Sequence, residues 1–139
     1  MGASLVYLRI LIALTALVMA SLPVLAQGRY RAVDGDTIRD RGEAIRLKGF
    51  DTPESVPGQW RCVKERDHGK LAAKRLQELL DQGPVRIVRD TKRDKYGRAL
   101  GTLFIGHEPV SDILIREGLA VAYTGKISRI RNYSWCAHL

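Results

Sequence analysis

Two segments joined by a short hairpin decide the reading: Asp34-Gly35-Asp36-Thr37, and Arg46-Leu47-Lys48-Gly49-Phe50-Asp51-Thr52-Pro53-Glu54. They place four carboxylates and an arginine within about two strands of sequence. Carboxylates crowded together raise one another's pKa unless a cation offsets the repulsion. Oxygen-rich clusters of this kind suit hard cations such as Ca²⁺ or Mg²⁺. An arginine nearby adds a fork that matches phosphate oxygens. The pattern points to metal-assisted phosphodiester chemistry. Any one of these acids could instead be a turn residue, because Asp-Gly is also a strong hairpin signal. The combination is what argues for a site.

Upstream, Gly28 to Asp34 reads as a first strand, with Tyr30, Ala32 and Val33 toward the core. Thr37-Ile38-Arg39 continues as a second, and Asp40-Arg41-Gly42-Glu43 turns the chain. Ala44 to Phe50 alternates, setting Ile45 and Leu47 on one face and Arg46 and Lys48 on the other. Ser55 to Cys62 carries the proline and glycine of a loop. A helix is predicted from Val63 or Asp67 to Asp81, with Leu71, Ala72, Leu76, Leu79 and Leu80 inward. Gly83-Pro84 stops it. His68, near its start, reads as a surface residue. Val85 to Val88 is a strand, and Asp90 to Arg98 a charged loop. Ala99 to Ile105 is a further strand. A short helix is expected from Asp112 to Glu117, capped by Ser111 and closed by Gly118. Leu119 to Tyr123 is extended. About five strands and two or three helices give an α+β fold, a five-stranded barrel of the OB type with a helix across one end.

The chain's 139 residues allow one domain with a modest core. Met1 to Ala26 holds Arg9 and then an apolar run ending in Val24-Leu25-Ala26. This reads as a secretory signal peptide cut after Ala26, with a cut after Ala20 or a retained anchor as alternatives. Residues 27–139 then form a single domain, periplasmic or secreted. With 23 basic against 15 acidic residues, the formal net charge is +8. Such a balance suits a polyanionic partner. Cys62 and Cys136 are the only two cysteines. In an oxidising compartment they read as one disulfide, and otherwise as two thiols. No Cys/His spacing suggests a zinc site.

Val33-Asp34-Gly35-Asp36-Thr37, Arg46 to Glu54, Asp94-Lys95-Tyr96-Gly97-Arg98-Ala99-Leu100 and Gly118 to Tyr123 together resemble the staphylococcal nuclease family over roughly Tyr30 to Tyr123. The resemblance implies an OB-fold, Ca²⁺-dependent nuclease acting on DNA and RNA as a monomer and leaving 3′-phosphates. It implies Asp36, Asp51 and the Thr52 carbonyl as metal ligands, with Asp34 behind them. Glu54 would be the catalytic carboxylate, and Arg46 and Arg98 would grip the phosphate. Lys95, Tyr96, Leu100 and Tyr123 would line the nucleotide pocket. The chain departs from the pattern in a short first strand, a longer loop after Glu54, and Gly125 where a second pocket tyrosine is expected. The tail from Thr124 has no room for the family's long last helix and would cover that side of the barrel, held by a Cys62–Cys136 bridge.

Two other readings stand beside the enzyme. A non-catalytic OB module would bind single strands through a basic groove and aromatic platforms. It gains nothing from acids in the groove, and aromatic content is only 6%. A membrane-surface protein would need a basic amphipathic helix, and residues 63–81 are too mixed in charge.

Overall fold

A computed structural model describes residues 29–123 and 134–138. The signal-peptide expectation for Met1–Ala26, the expectation at Gly125 and the path of residues 124–133 lie outside the described residues. β1 (Tyr30–Ala32), β2 (Thr37–Asp40) and β3 (Glu43–Leu47) form an antiparallel meander. β3 then runs parallel to β6 (Ala99–Ile105), which pairs antiparallel with β5 (Val85–Arg93). The order β1-β2-β3-β6-β5 is that expected of an OB sheet, but β1 and β5 share no ladder, so the sheet stays open. β7 (Glu108–Pro109) adds to β6. β4 (Gly49–Asp51) and β8 (Val121–Tyr123) make a separate antiparallel pair. Among the described residues three helices complete the fold: α1 (Val63–Asp81), α2 (Val110–Arg116) and α3 (Trp135–His138). Among the described residues no helix is long and apolar enough to cross a membrane.

The α+β class expected from sequence is borne out, with several local corrections. Residues 44–50 are not one strand. Gly49 has φ 94°, a left-handed conformation glycine adopts without a Cβ clash. The kink there sends Phe50 into the core and Asp51 into a second sheet. Strand β5 runs on through Arg93 where a loop was expected, with its register shifted between Arg89 and Arg93. Val33 is exposed rather than inward. On α1 the buried positions are Glu65, Gly69, Ala72, Leu76, Leu79 and Leu80, while Leu71 is 54% exposed. The short helix begins at Val110 and is not capped by Ser111, whose hydroxyl turns to Asp112.

Ile38, Ile45, Leu47, Phe50, Leu76, Leu103, Val110 and Leu114 make the centre of one core between sheet and helices. β1 and β5 lack a ladder, but ion pairs join β5 to the β2–β3 hairpin. Arg89 on β5 reaches Asp40 at 2.8 Å and Glu43 at 2.6 Å, and Arg93 reaches Glu43 at 2.9 Å. Arg29 adds two hydrogen bonds of 3.0 Å to the buried Asp40. The Arg29 and Arg89 hydrogen bonds hold the Asp40 carboxyl below its usual range, against the opposing effect of burial. A group with a depressed folded pKa adds stability above its unfolded pKa and loses it as pH falls through the folded one. Asp40→Asn is therefore expected to cost about 2 kcal/mol at neutral pH. The gap to the parent should close once the medium is acidic enough to protonate the parent's Asp40. Thermal melts across that range check this.

Candidate active site

The turn before β2 and the end of β4 converge on the guanidinium of Arg46. Arg46 stands on the outward face of β3, between buried Ile45 and Leu47. Its Nη1 contacts Asp36 Oδ1 and its Nη2 donates to Asp51 Oδ1 at 2.7 Å. Asp36 is buried, and its other oxygen accepts from the Thr52 backbone N–H and hydroxyl, each at 3.2 Å. Asp34 accepts from the Asp36 N–H at 3.1 Å, an Asx turn that fixes the Asp-Gly-Asp segment. Asp34, Asp36, Arg46, Asp51 and Thr52 thus come together in one place.

This group is short of positive charge. Burial raises the Asp51 carboxyl, Arg46 opposes it, and the charges of Asp34 and Glu65 push it further up. Glu54 is raised by burial and by the Asp34 and Asp51 charges. Asp34 is raised by burial, with Thr37 and Arg46 pulling it back. An all-oxygen donor set in which one arginine serves several acids has the chemistry of a hard-cation site. Asp36, Asp51 and the Thr52 carbonyl would hold such an ion, with water filling the remaining positions. Among the described residues, the one trio of Asp, Glu, His or Cys donors within 4.8 Å of one another is Cys62, Glu65 and Cys136. There the two sulfurs are bonded to each other, so the trio is a structural staple.

On the other side of Arg46 lies a cleft of about 630 Å³, lined by Arg46, Lys48, Lys95, Tyr96, Arg98, Leu100 and Tyr123 among others. Each element brings its part for a local reason. Pairing of Gly49 with Tyr123 sets the tyrosine at one wall. Parallel pairing of Arg46 with Leu100 sets the leucine at another. Asp94 builds the turn that carries the rest. Its Oδ1 accepts from the N–H groups of Tyr96 at 2.9 Å and Arg98 at 2.8 Å, and its Oδ2 accepts from Arg98 Nε at 2.7 Å. Tyr96 is 71% exposed, with Lys95 Nζ 4.9 Å and Arg98 Cζ 5.4 Å from its ring centroid.

A family model described as "Staphylococcal nuclease homologue" matches residues 44–135. The chain belongs to that family. Endonuclease YncB of Bacillus subtilis (strain 168) is 38% identical over 100 residues, 67% of this chain and 46% of the relative. Thermonuclease of Staphylococcus intermedius is 38% identical over 97 residues, 66% of this chain and 56% of the relative. Succinoglycan biosynthesis protein ExoI of Rhizobium meliloti (strain 1021) is 36% identical over 100 residues, 68% of this chain and 50% of the relative. The chain spans about half the length of these relatives.

Several residues of this family member escaped the sequence reading. Lys48 lines the cleft and pairs with Asp90 at 2.6 Å; its shared parity with Arg46 was the available signal. Glu65 is 2% exposed and accepts from the Arg61 N–H at 2.7 Å. It sits three residues after Cys62, the helix N-cap, whose sulfur accepts from Glu65 N–H. That spacing resembles a capping box. Gly35 and Gly69 let α1 lie directly on the site. A Cβ at Gly69 would stand 2.6 Å from the Pro53 carbonyl oxygen and 2.9 Å from the Glu54 carbonyl carbon. One at Gly35 would stand 2.7 Å from Ala72 Cβ and from Thr52 Oγ1. Cys62 and Cys136 are joined, with Cα atoms 6.0 Å apart. The bridge docks α3 on the first turns of α1, where Trp135 is buried and its ring lies 6.0 Å from that of His68.

Proposed function

We propose that the chain is an exported, Ca²⁺-dependent nuclease that hydrolyses DNA and RNA to 3′-phosphate ends. The observation that carries this is Arg46, held between Asp36 and Asp51 on one side and open to a cleft containing Arg98 and Tyr96 on the other. The arginine joins an acid group suited to a cation with a groove suited to a nucleotide. Lys95, Tyr96, Leu100 and Tyr123 hold the sugar and base. Arg46 and Arg98 hold the scissile phosphate and offset the charge that grows on its oxygens. Glu54 takes a proton from the attacking water. The water oxygen bonds to phosphorus, the bond to the 5′-oxygen breaks, and that oxygen takes a proton from solvent. When bound, Ca²⁺ would polarise a phosphoryl oxygen and position the water. Met1–Ala26 is the leader, and residues 27–139 are the working domain.

Membership of a family with relatives named endonuclease and thermonuclease supports the reaction class. The test uses oxidised protein with single-stranded DNA, duplex DNA and RNA, in Ca²⁺, Mg²⁺, Mn²⁺ or excess chelator. Cleavage restored by Ca²⁺ and abolished by chelator, with 3′-phosphate and 5′-hydroxyl ends, is the expected result. Intact substrate in every metal would overturn the enzyme and leave a binding module. Cleavage that persists in chelator would overturn the metal's role.

A further inference from the structure

The outward face of the sheet continues past the cleft. Ile38, Ile45 and Leu47 point into the core, so Thr37, Arg39, Ala44 and Arg46 lie on the opposite face. The register sets Thr37 beside Arg46, Arg39 beside Ala44, and Arg31 beside Arg39. Parallel pairing of Ile45 with Ala99 sets Arg98, one residue earlier, beside Ala44. A single transverse row therefore reads Arg31, Arg39, Ala44, Arg98, with neighbouring strands about 5 Å apart. Ala44 is the small floor between two cations.

Arg31 and Arg39 are the two members farthest from Arg98. Arg31 and Arg39 are exposed, and neither has an ion pair among the described residues. Arg29, Arg89 and Arg93, on the same sheet or at its edge, each have an acidic partner. Like charges directly opposite in an antiparallel pair weaken the sheet. Arg39 Nη1 also donates to the Gly42 carbonyl at 2.9 Å, which ties its guanidinium down beside the hairpin.

We propose that Arg39 and Arg31 bind successive phosphates of the nucleic-acid strand as it leaves the cleft. This rests on the nuclease reading, which puts the scissile phosphate between Arg46 and Arg98. Arg39 then lies about 10 Å from Arg98, two strand spacings across the sheet. A single strand leaving the cleft along the row would meet Arg39 within its next phosphates, the long arginine side chain making up the difference in spacing. The site would thus take polymers in preference to short fragments.

The test compares Glu54→Gln with Glu54→Gln/Arg31→Gln/Arg39→Gln by fluorescence anisotropy. The probes are a labelled 20-nucleotide oligothymidine and a dinucleotide, each titrated across a range of salt. Two lost phosphate contacts should lower the slope of log K against log salt by about 1.4 for the 20-mer. The dinucleotide, too short to reach the row, should bind both proteins alike. An unchanged slope, or an equal loss for both probes, would overturn the proposal. Both proteins should melt at similar temperatures, or the triple variant higher, since a like-charge pair is removed. If the parent chain cleaves nothing yet the slope difference holds, the nuclease reading fails and the phosphate track stands.

Discussion

Arg46→Ala is expected to lower nuclease activity by about three orders of magnitude and to destabilise the metal-free protein by about 3 kcal/mol. The two losses share an origin. Arg46 is mostly buried and contacts both Asp36 and Asp51. Removing it leaves two acids without their counter-charge, which costs more than the pair itself is worth. Cation binding should move the other way. The guanidinium competes for the carboxylate oxygens that a Ca²⁺ ion would use, so the alanine protein should bind Ca²⁺ more tightly than the parent. At a concentration a hundred times its dissociation constant, the ion would restore about 2.7 kcal/mol. Calorimetric titration and thermal melts with and without Ca²⁺ separate this from activity. Weaker Ca²⁺ binding in the variant would show that Arg46 supports the cation site and does not compete for it.

Gly69→Ala is expected to reduce activity by about 100-fold, although it changes no group that touches substrate. In an exposed helix interior this substitution gains up to about 1 kcal/mol. Here the new methyl would meet the backbone of Pro53 and Glu54 at under 3 Å, and backbone cannot swing aside as a long side chain can. Helix and loop must separate, at a cost of about 1–3 kcal/mol, and Glu54 moves with the loop. Gly83→Ala is the control, since nothing lies within 4 Å of a Cβ there. Kinetics and melts on both variants check the expectation. Parental activity in Gly69→Ala would mean that the loop's position is not what sets the reaction.

How legible these features were in the sequence depends on how local their causes are. Asp34, Asp36, Arg46, Asp51 and Thr52 could be grouped because a hairpin and the short strand after it bring them together within 21 residues, Asp34 to Glu54. The two-residue alternation likewise showed which way Arg46 points. It could not show the kink at Gly49, because alternation alone carries no sign of a positive φ. The end of strand β5 is not legible because the polar residues 89–93 look like loop until the acids at Asp40 and Glu43 are placed opposite them. Leu71 reads as inward on its apolar character, but the buried face follows Glu65, Gly69, Ala72 and Leu76. Two of those four are not apolar side chains at all. Glu65 is buried where the bridge to Cys136 brings in a partner from 74 residues along the chain. A window of helix length holds no trace of that.

The Cys62–Cys136 bridge also changes what a broken backbone would mean. Everything from α1 to α3 lies within one covalent ring, and the turn at 94–97, with exposed Lys95 and Tyr96, lies inside it. A protease cut there would open the ring but leave both pieces attached, and the strands on either side of the cut would stay in register. The loop at 55–61 lies outside the ring. A cut there would detach Asp36, Arg46 and Glu54 from Arg98 in covalent terms, leaving only packing to hold the two halves together. Under proteolysis the molecule is thus protected by chemistry on one side of Cys62, and only by its fold on the other.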